Sequence, residues 1–385
     1  MEKIGICACY NTMNYGSMLQ SFATQKTVES LGYDCEFIVY KKKKTIGFIL
    51  KQIPRLLNKS LIYEKMLSVR KNKMLRKNQE ILNKDLRRQK EFERFQEQYY
   101  KSFSPVYYGY KELCKAAVRY SSIIVGSDQL WSPAGLATNF YNLMFVPDEV
   151  NKISYATSFG VSEIPWYQRK RTGKYLSRIQ HLSVRELRGS EIVYELTGRN
   201  AEVVADPTLL LTRDEWKRVI PEKRLIEEEY IFCYFLGENQ QHRIIAEKLK
   251  EESGLPIVTM PFLDTFVECD VKFGDFQLFD VGPDDFVNAI RGAKYVLTDS
   301  FHGSVFSIIN HKTFITLNRY LDGEGSRNSR IDSLCEMLGL SKRRYKSDVA
   351  ILEQMEQAIN YDFVDEKLFD LRNKSMQFLS TSISG

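Results

Sequence analysis

Short apolar runs alternate with longer amphipathic stretches along most of the chain. The first cycle predicts a strand over 3–9, a helix over 18–31 that ends at Gly32, and a second strand over 35–40. Further strands are predicted at 121–125, 153–160, 181–186, 202–205, 230–236, 255–260, 294–298 and 313–317. Helices are predicted between them at 175–179, 242–252, 283–292, 305–309 and 326–338. This alternation predicts an α/β fold built from doubly wound parallel sheets.

A chain of 385 residues is long enough for two domains. Asp206-Pro207 stops the strand that ends at Ala205, and the alternation begins afresh at Tyr230. The predicted division is an N-terminal Rossmann-like domain over 1–205 and a C-terminal Rossmann-like domain over 206–360, which face one cleft. The amphipathic tail over 361–385 is predicted to be a helix that packs back across both domains.

Residues 41–101 break this rhythm and predict inserted helices. The segment holds 19 Lys and Arg against 6 Asp and Glu, a local net charge of +13, whereas the whole chain has +6. One interpretation is peripheral contact with an anionic membrane surface or a lipid-linked phosphate. The other is a solvated insertion whose aromatic residues, Phe92, Phe95, Tyr99 and Tyr100, pack on the sheet domain. No nucleic-acid-binding motif accompanies the charge, so nucleic acid is not an expected partner.

The bulk composition is that of a globular protein, with 43% hydrophobic and 27% charged residues. No signal peptide and no apolar run near the roughly 20 residues of a membrane span are found, so a cytoplasmic protein is expected. Seven cysteines and four histidines are scattered without metal-ligand spacing. We therefore expect reduced thiols, no metal and no bound cofactor.

In parallel sheets, ligands bind beyond the carboxyl ends of the strands, so polar residues there are candidates for a site. His302 stands at such a strand-to-helix turn, where it can bind an anion and move a proton. Structural alternatives are open at Gly16, which can serve the turn alone, at Asp128, which can brace backbone amides, and at Trp131, a common core residue type. The residues that share such positions are Asn14, Tyr15, Gly16, Ser127, Asp128, Gln129, Trp131, Ser158, Arg185 and the turn from Asp299 to Ser304.

A set of short motifs runs through the chain. These are Asn14-Tyr15-Gly16-Ser17, Val125-Gly126-Ser127-Asp128-Gln129-Leu130-Trp131, Ser154-Tyr155-Ala156-Thr157-Ser158-Phe159-Gly160, Ser183-Val184-Arg185-Glu186, Asp206-Pro207-Thr208, Asp299-Ser300-Phe301-His302-Gly303, and Ser326-Arg327 through Arg330-Ile331. In these motifs the chain resembles the polysaccharide pyruvyl transferases over nearly its whole length, except for 41–101. Each motif alone is weak, whereas their order and spacing together are specific.

The resemblance implies a GT-B-like fold of two Rossmann-type domains. It also implies transfer of the enolpyruvyl group of phosphoenolpyruvate to two hydroxyls of a sugar in a cell-surface or exopolysaccharide precursor. The products would be a cyclic pyruvate ketal and phosphate. Phosphoenolpyruvate would be a co-substrate, and the partner would be a sugar acceptor, free or lipid-linked, whose identity the residues do not give.

The resemblance assigns roles to several residues. His302 matches the catalytic histidine, with Asp299 beside it, and Arg185 matches a donor-binding arginine of the first domain. Many family members carry an arginine two residues before the histidine, where this chain has Ser300. The charge can then come from Arg327, Arg330 or Lys312. Donor binding is thus assigned to Arg185, Ser300, Gly303, Ser304, Arg327 and Arg330, with the Gly303 and Ser304 amides on the phosphate. Acceptor or cleft contacts are assigned to Asn14, Tyr15, Gly16, Ser127, Asp128, Gln129, Trp131 and Ser158.

Two rival functions stay open. A nucleotide-sugar-dependent glycosyltransferase of the same fold would also use the cleft, although no carboxylate pair suited to ribose lies late in the second domain. A non-catalytic protein that binds lipid-linked glycans through 41–101 predicts that His302 is dispensable. For every one of these functions the expected location is the cytoplasm, and peripheral contact at the inner face of the membrane is expected if the basic segment binds lipid.

Overall fold

The computed structural model describes residues 3–43, 59–133, 139–264, 267–319 and 328–385. Its first sheet is six-stranded and wholly parallel, with strand order β2-β1-β5-β6-β7-β8. The strands of this part of the chain are β1 (Lys3–Cys7), β2 (Asp34–Phe37), β5 (Ser122–Val125), β6 (Asn151–Ser154), β7 (His181–Val184) and β8 (Glu202–Val203), with a separate two-stranded ribbon of β3 (Tyr40–Lys41) and β4 (Tyr107–Tyr108).

The second sheet has five parallel strands in the order β11-β10-β9-β12-β13. They are β9 (Ile231–Tyr234), β10 (Ile257–Thr259), β11 (Phe276–Gln277), β12 (Tyr295–Thr298) and β13 (Thr313–Thr316). In both sheets the central strands end level: Val125 is paired with Cys7 and Ser154, and Thr298 with Tyr234 and Thr316. The segments that follow these strands therefore lie along one edge of each sheet.

Helices cover the sheets, as the predicted alternation requires. They are α1 (Tyr15–Ser30), α2 (Lys59–Lys77), α3 (Gln79–Tyr99), α4 (Tyr110–Ala117), α5 (Trp166–Leu176), α6 (Leu187–Thr197), α7 (Pro207–Leu210), α8 (Arg213–Val219), α9 (Gln240–Ser253), α10 (Pro283–Gly292), α11 (Phe301–Ile309), α12 (Ser329–Met337), α13 (Ile351–Glu356) and α14 (Tyr361–Ser384). Helix α1 begins three residues before the predicted start, because the Asn14 side chain caps it by accepting from the Ser17 amide at 3.0 Å.

Helices α2 and α3 form a basic hairpin (59–99) within the inserted segment. Phe92, Phe95 and Tyr100 are buried, and Phe95 packs against Phe22 of α1. The aromatic residues of the insertion thus pack on the first domain, as one of the two interpretations expected. Residues 44–58 of the insertion lie outside the described part of the chain.

The two sheets are joined by the linker after β8 and by the last helix. In α14, the Ser375 hydroxyl accepts from the Ala205 amide at 2.9 Å, and the Arg372 guanidinium donates to the Leu209 carbonyl at 2.5 Å. The same helix contacts the second domain at its start, where the Tyr361 hydroxyl donates to the Lys312 carbonyl at 2.5 Å. Within the described residues, no helix is both long and apolar enough to cross a membrane.

Candidate active site

His302 is buried between the two domains at the start of α11. Ser300 is the N-cap of this helix, and its hydroxyl accepts from the Gly303 amide at 3.3 Å. The imidazole ring lies directly against Gly16 of the first domain, where a Cβ atom would be 2.0 Å from Nδ1. The other ring nitrogen, Nε2, is 3.7 Å from Oδ1 of Asp206 in the linker. The histidine of one domain is therefore held between a glycine and a carboxylate that belong to the other domain and the linker.

Asp206 connects the parts of the site. Its Oδ2 accepts from the Ser127 hydroxyl at 2.6 Å and from Arg185 Nη1 at 2.8 Å, while Oδ1 accepts from the Thr208 amide at 3.0 Å. Burial alone would raise the pKa of this carboxyl group, but His302 and Arg185 hold its pKa well below the usual range. Asp206 is consequently ionised and places a negative charge between His302 and Arg185.

Arg185 follows β7 and is almost completely buried. Its guanidinium lies 4.3 Å above the ring of Phe301, the residue before His302. Nη2 is 3.7 Å from Oδ1 of Asp128. The Nε and Nη2 groups lack a hydrogen-bond partner among the described residues. Because a buried donor without a partner is costly, these groups are placed to receive an anionic ligand.

A second guanidinium, that of Arg330 in α12 of the second domain, lies near Arg185. With its amide oxygen turned towards α12, Gln129 accepts from Arg330 Nη1 at 2.7 Å and from Nη2 at 2.9 Å. Burial, with repulsion from Arg185 and Arg319, lowers the pKa of Arg330 to about 10. Arg330 Nε also has no partner in the described structure. Positive groups that repel one another in a buried site favour a negatively charged ligand.

Asp128 and the loop before α1 complete the first-domain wall. Asp128 has a positive φ of 81°, a conformation that turns its carboxylate back to accept from the Gln129 amide at 2.8 Å. The Ser17 hydroxyl donates to the same carboxylate and lies 3.3 Å from Oδ1 of Asn14. Burial opposes ionisation, but Arg185 and His302 lower the pKa of Asp128. The carboxylate both braces the turn and adds negative charge beside the histidine.

The turn around His302 differs from the expected phosphate cradle. The amides of Gly303 and Ser304 are already bonded, the first to the Ser300 hydroxyl and the second to the Ser300 carbonyl at 3.0 Å. Both amides are thus engaged within the helix in this structure, and their contact with the phosphate stays a prediction. The amides of Phe301 and His302 are the first two of the helix, which an α-helix leaves without partners of its own.

Asp299 precedes this turn but points away from Asp206. Its Oδ1 accepts from the Leu236 amide at 2.7 Å, and its Oδ2 is 3.3 Å from Nδ1 of His242. Arg319, after β13, donates from Nη2 to the Asp299 carbonyl at 3.1 Å. The sequence had suggested no role for His242 or Arg319. Both are close to Asp299 only because β9, β12 and β13 are neighbours in the sheet.

The other predicted site residues have mainly packing contacts. Tyr15 stacks on Phe286 of the second domain, with ring centroids 5.4 Å apart. Trp131 is fully buried and donates from Nε1 to the Tyr141 carbonyl at 3.0 Å. The Ser158 hydroxyl donates to Glu186 at 2.8 Å. Arg327 lies outside the described residues, and Lys312 donates to the Arg291 carbonyl at 2.9 Å. Among the described residues, no group of three or more His, Cys, Asp or Glu residues is placed to hold a metal ion.

Comparison with known protein families gives a match over most of the chain. The family model described as polysaccharide pyruvyl transferase matches residues 14–319, from the N-cap of α1 to Arg319. The chain belongs to the polysaccharide pyruvyl transferase family. It is accordingly a transferase of polysaccharide biosynthesis. No curated protein matches the sequence.

Solved structures show the fold of this family member. A UDP-GlcNAc 2-epimerase from Methanocaldococcus jannaschii aligns with a TM-score of 0.52 and 11% identity, covering 94% of this chain and 93% of that one. A UDP-GlcNAc 2-epimerase from Neisseria meningitidis bound to UDP-GlcNAc aligns with a TM-score of 0.49 and 9% identity, covering 99% of both chains. The first likeness, with the two parallel sheets, establishes the expected GT-B-like fold.

The sequence had not singled out Asp206 as part of the site. It identified Asp206 as the end of a strand and as part of the Asp206-Pro207-Thr208 motif, but gave it no role in the site. The available signal was position, since Asp206 follows the last strand of the first sheet just as Arg185 follows β7.

Proposed function

We propose that this protein transfers the pyruvyl group of phosphoenolpyruvate to two hydroxyls of a sugar in a cell-surface or exopolysaccharide precursor, forming a cyclic ketal. The observation that carries the proposal is the placement of His302 beside Asp206, together with the buried Arg185 and Arg330, whose Nε groups have no hydrogen-bond partner among the described residues. Phosphoenolpyruvate fits such a site because one of its carbons carries a phosphate and a carboxylate, and the neighbouring methylene carbon must be protonated.

The reaction needs one acid and several fixed cations. A proton adds to the methylene carbon of the donor, the double bond is lost, and one sugar hydroxyl attacks the adjacent carbon. The bond to phosphate then breaks, and the second hydroxyl attacks the same carbon to close the ketal. Of the two hydroxyl protons, one replaces the proton that the acid gave to the new methyl group, and the other leaves with the phosphate. No oxidant or reductant is consumed.

His302 is our candidate for the acid and, after protonation of the donor, for the base. A helix N-terminus disfavours imidazolium, so the acid role requires a nearby negative charge. Asp206, 3.7 Å from Nε2, supplies it from within the site. Asp299, which the sequence suggested for this role, is instead paired with His242. We therefore assign Asp206 to stabilise the protonated histidine and Asp299 to hold the turn.

Arg185 and Arg330 are our candidates for the donor anions. Their unpartnered Nε groups come from opposite domains, so a ligand between them would contact both walls of the cleft. Ser300 has no charge to contribute. Arg319 is partly buried, lies close enough to repel Arg330, and donates to the Asp299 carbonyl beside the turn. We assign it the cation that the family places two residues before the histidine.

The test is release of phosphate from phosphoenolpyruvate with synthetic or lipid-linked galactosides, measured beside release of UDP from UDP-sugars. We expect phosphate release, and a loss of about 10²–10⁴-fold in kcat for His302→Ala, the range for removal of a general acid. His311→Ala is the matched control, because His311 pairs with Asp365 at the surface at 3.1 Å. UDP release without phosphate release would favour a nucleotide-sugar-dependent glycosyltransferase, and full turnover by His302→Ala would remove His302 from the mechanism.

A further inference from the structure

The basic hairpin (α2 and α3) is an insertion in the first domain, but it forms ion pairs with the second domain. Its arginines contact acidic residues around β9, β11 and α10. The ion pairs are Arg70 with Glu238 at 3.3 Å, Arg87 with Asp280 at 2.7 Å, Arg88 with Asp264 at 3.0 Å and Arg94 with Asp284 at 2.8 Å. Much of the basic charge of the insertion thus faces the acidic second domain.

Apolar contacts accompany these ion pairs. Leu75 and Ile81 of the hairpin form a small buried cluster with Leu263 and Phe279 of the second domain. The Lys84 ammonium lies 4.5 Å from the centre of the Phe279 ring. The hairpin is therefore docked on the second domain by burial as well as by charge.

Arg88 differs from the other three arginines because it is 3% exposed and contacts the segment Met13–Gly16 at the start of α1. Its Nη2 donates to the Met13 carbonyl at 2.6 Å, and its Nε donates to the Tyr15 hydroxyl at 3.3 Å. Its Nη1 donates to Asp264 of the second domain at 3.0 Å. Although burial opposes it, Tyr15 and Asp264 raise the pKa of Arg88 above the ordinary value, so the group is always charged. A single guanidinium thus bonds the loop that carries Gly16 to the domain that carries His302.

We propose that Arg88 is a positioning residue and that the basic hairpin is an interdomain clamp. The clamp holds Met13–Gly16 against the second domain, which places the His302 ring on Gly16 and opposite Asp206. Misplacement of a reacting group by about 1 Å can cost about 100-fold in rate, so the register of the two domains matters for catalysis. This inference rests on the proposed function only where activity is the readout.

The sharpest test changes the second-domain end of the clamp. Asp264→Ala removes the bond across the domains and leaves Arg88 bonded to Met13 and Tyr15. Asp280→Ala is the matched control, because it breaks the neighbouring ion pair of the exposed Arg87. We expect kcat to fall at least tenfold in Asp264→Ala and to stay within twofold in Asp280→Ala. Asp264→Asn keeps an acceptor oxygen and is expected to retain most of the activity.

A second measurement does not depend on turnover. Small-angle X-ray scattering of the full chain is expected to give a larger radius of gyration for Asp264→Ala and for Arg88→Met than for the wild type and Asp280→Ala. Wild-type kcat, KM and radius of gyration in Asp264→Ala would overturn the clamp. If the wild type releases no phosphate from phosphoenolpyruvate, the proposed function fails, and the scattering comparison still decides whether the clamp exists.

Discussion

Gly16 lies where the His302 ring leaves no room for a side chain. A Cβ atom at this position would be 2.0 Å from Nδ1, well inside van der Waals contact, so the ring would have to move. For Gly16→Ala we therefore expect a kcat about 100-fold lower, the cost of a displacement near 1 Å. The measurement is steady-state phosphate release, together with the melting temperature.

The control for this substitution is Gly126→Ala. The added methyl group there would be 3.4 Å from the Ala8 Cβ, an ordinary contact, and the backbone has no positive φ. Its activity is expected to stay within about threefold of the wild type on the grounds of ordinary packing. Equal effects of the two substitutions would show that the Gly16–His302 contact has no special importance.

Asp206 gives the site a defined response to pH. Its pKa is lowered in the folded protein, so the unfolded chain binds a proton more readily. The stabilisation by this carboxylate is complete above its unfolded pKa, near 4, and is lost as the pH falls towards the folded pKa. In Asp206→Asn the buried Arg185 loses its charged partner, which we expect to cost about 3–5 kcal/mol of unfolding free energy at pH 7.

The unfolding free energy of the wild type is expected to exceed that of Asp206→Asn at pH 7. This difference in unfolding free energy is expected to narrow below about pH 4, by about 1.4 kcal/mol for each pH unit. Urea unfolding of wild type and Asp206→Asn at pH 7, 5 and 3.5 measures it. A difference that is constant across this range would show that the Asp206 carboxylate is not held by the charges of Arg185 and His302.

At the scale of elements, the sequence predicts those helices and strands whose pattern is periodic or continuously apolar. The run over 294–298 predicts β12 closely, because a buried parallel strand is apolar throughout. Helix α11 begins four residues before the predicted Val305, because His302, Gly303 and Ser304 are polar or small but buried, and so show no period. Helix α6 is not predicted from the sequence, because Leu187–Thr197 combines a glycine with β-branched residues of weak helix propensity.

The candidate site is predictable only in part, for the same reason. Position at a strand end identifies Arg185 and His302, and the family motifs strengthen both. Contacts such as Asp206 with His302, or His242 with Asp299, join residues far apart in the chain. Local pattern carries no signal for these contacts, since they depend on strand order and on the register of two domains.

Helix α2 presents an apolar stripe that the clamp does not use. Ile62, Met66 and Val69 are 42%, 64% and 69% exposed and recur at the four- and three-residue spacing of one helix face. In a basic helix such a stripe favours an anionic membrane surface. We expect the protein to sediment with vesicles that contain anionic lipid and to bind neutral vesicles more weakly.

Replacement of all three residues of the stripe by serine is expected to weaken binding to the anionic vesicles by about tenfold. Phe363→Ser with Phe369→Ser, which removes exposed apolar area from α14, is the control and is expected to bind like the wild type. Equal binding to neutral and anionic vesicles, or no effect of the triple substitution, would contradict membrane contact through α2.

In the whole molecule, the basic insertion and α14 both connect the two domains. The basic insertion carries a net charge of +13. Four of its arginines pair with acidic residues of the second domain, while α14 crosses from Lys312 of that domain to Ala205 of the first. The two domains are thus fastened on two sides of the linker that carries Asp206.

Ser375 is the point at which α14 supports that linker. Its hydroxyl accepts from the Ala205 amide at 2.9 Å, one residue before Asp206, and it is completely buried. Ser375→Ala leaves this amide without its partner, which we expect to lower the unfolding free energy by about 1–3 kcal/mol. Because the freed amide adjoins Asp206, kcat should fall as well, by about tenfold if Asp206 moves by a fraction of an ångström.

Thr381→Ala is the control on the same helix. The Thr381 hydroxyl donates to the Gln377 carbonyl one turn earlier, at 2.8 Å. Thr381 is exposed and lies six residues after Ser375, the residue that contacts Ala205. Its unfolding free energy is expected to change by less than about 0.5 kcal/mol, and its kcat should be unchanged. If Ser375→Ala lowers stability but leaves kcat at the wild-type value, α14 stabilises the fold without fixing the position of Asp206, and the catalytic register then depends on the basic hairpin alone.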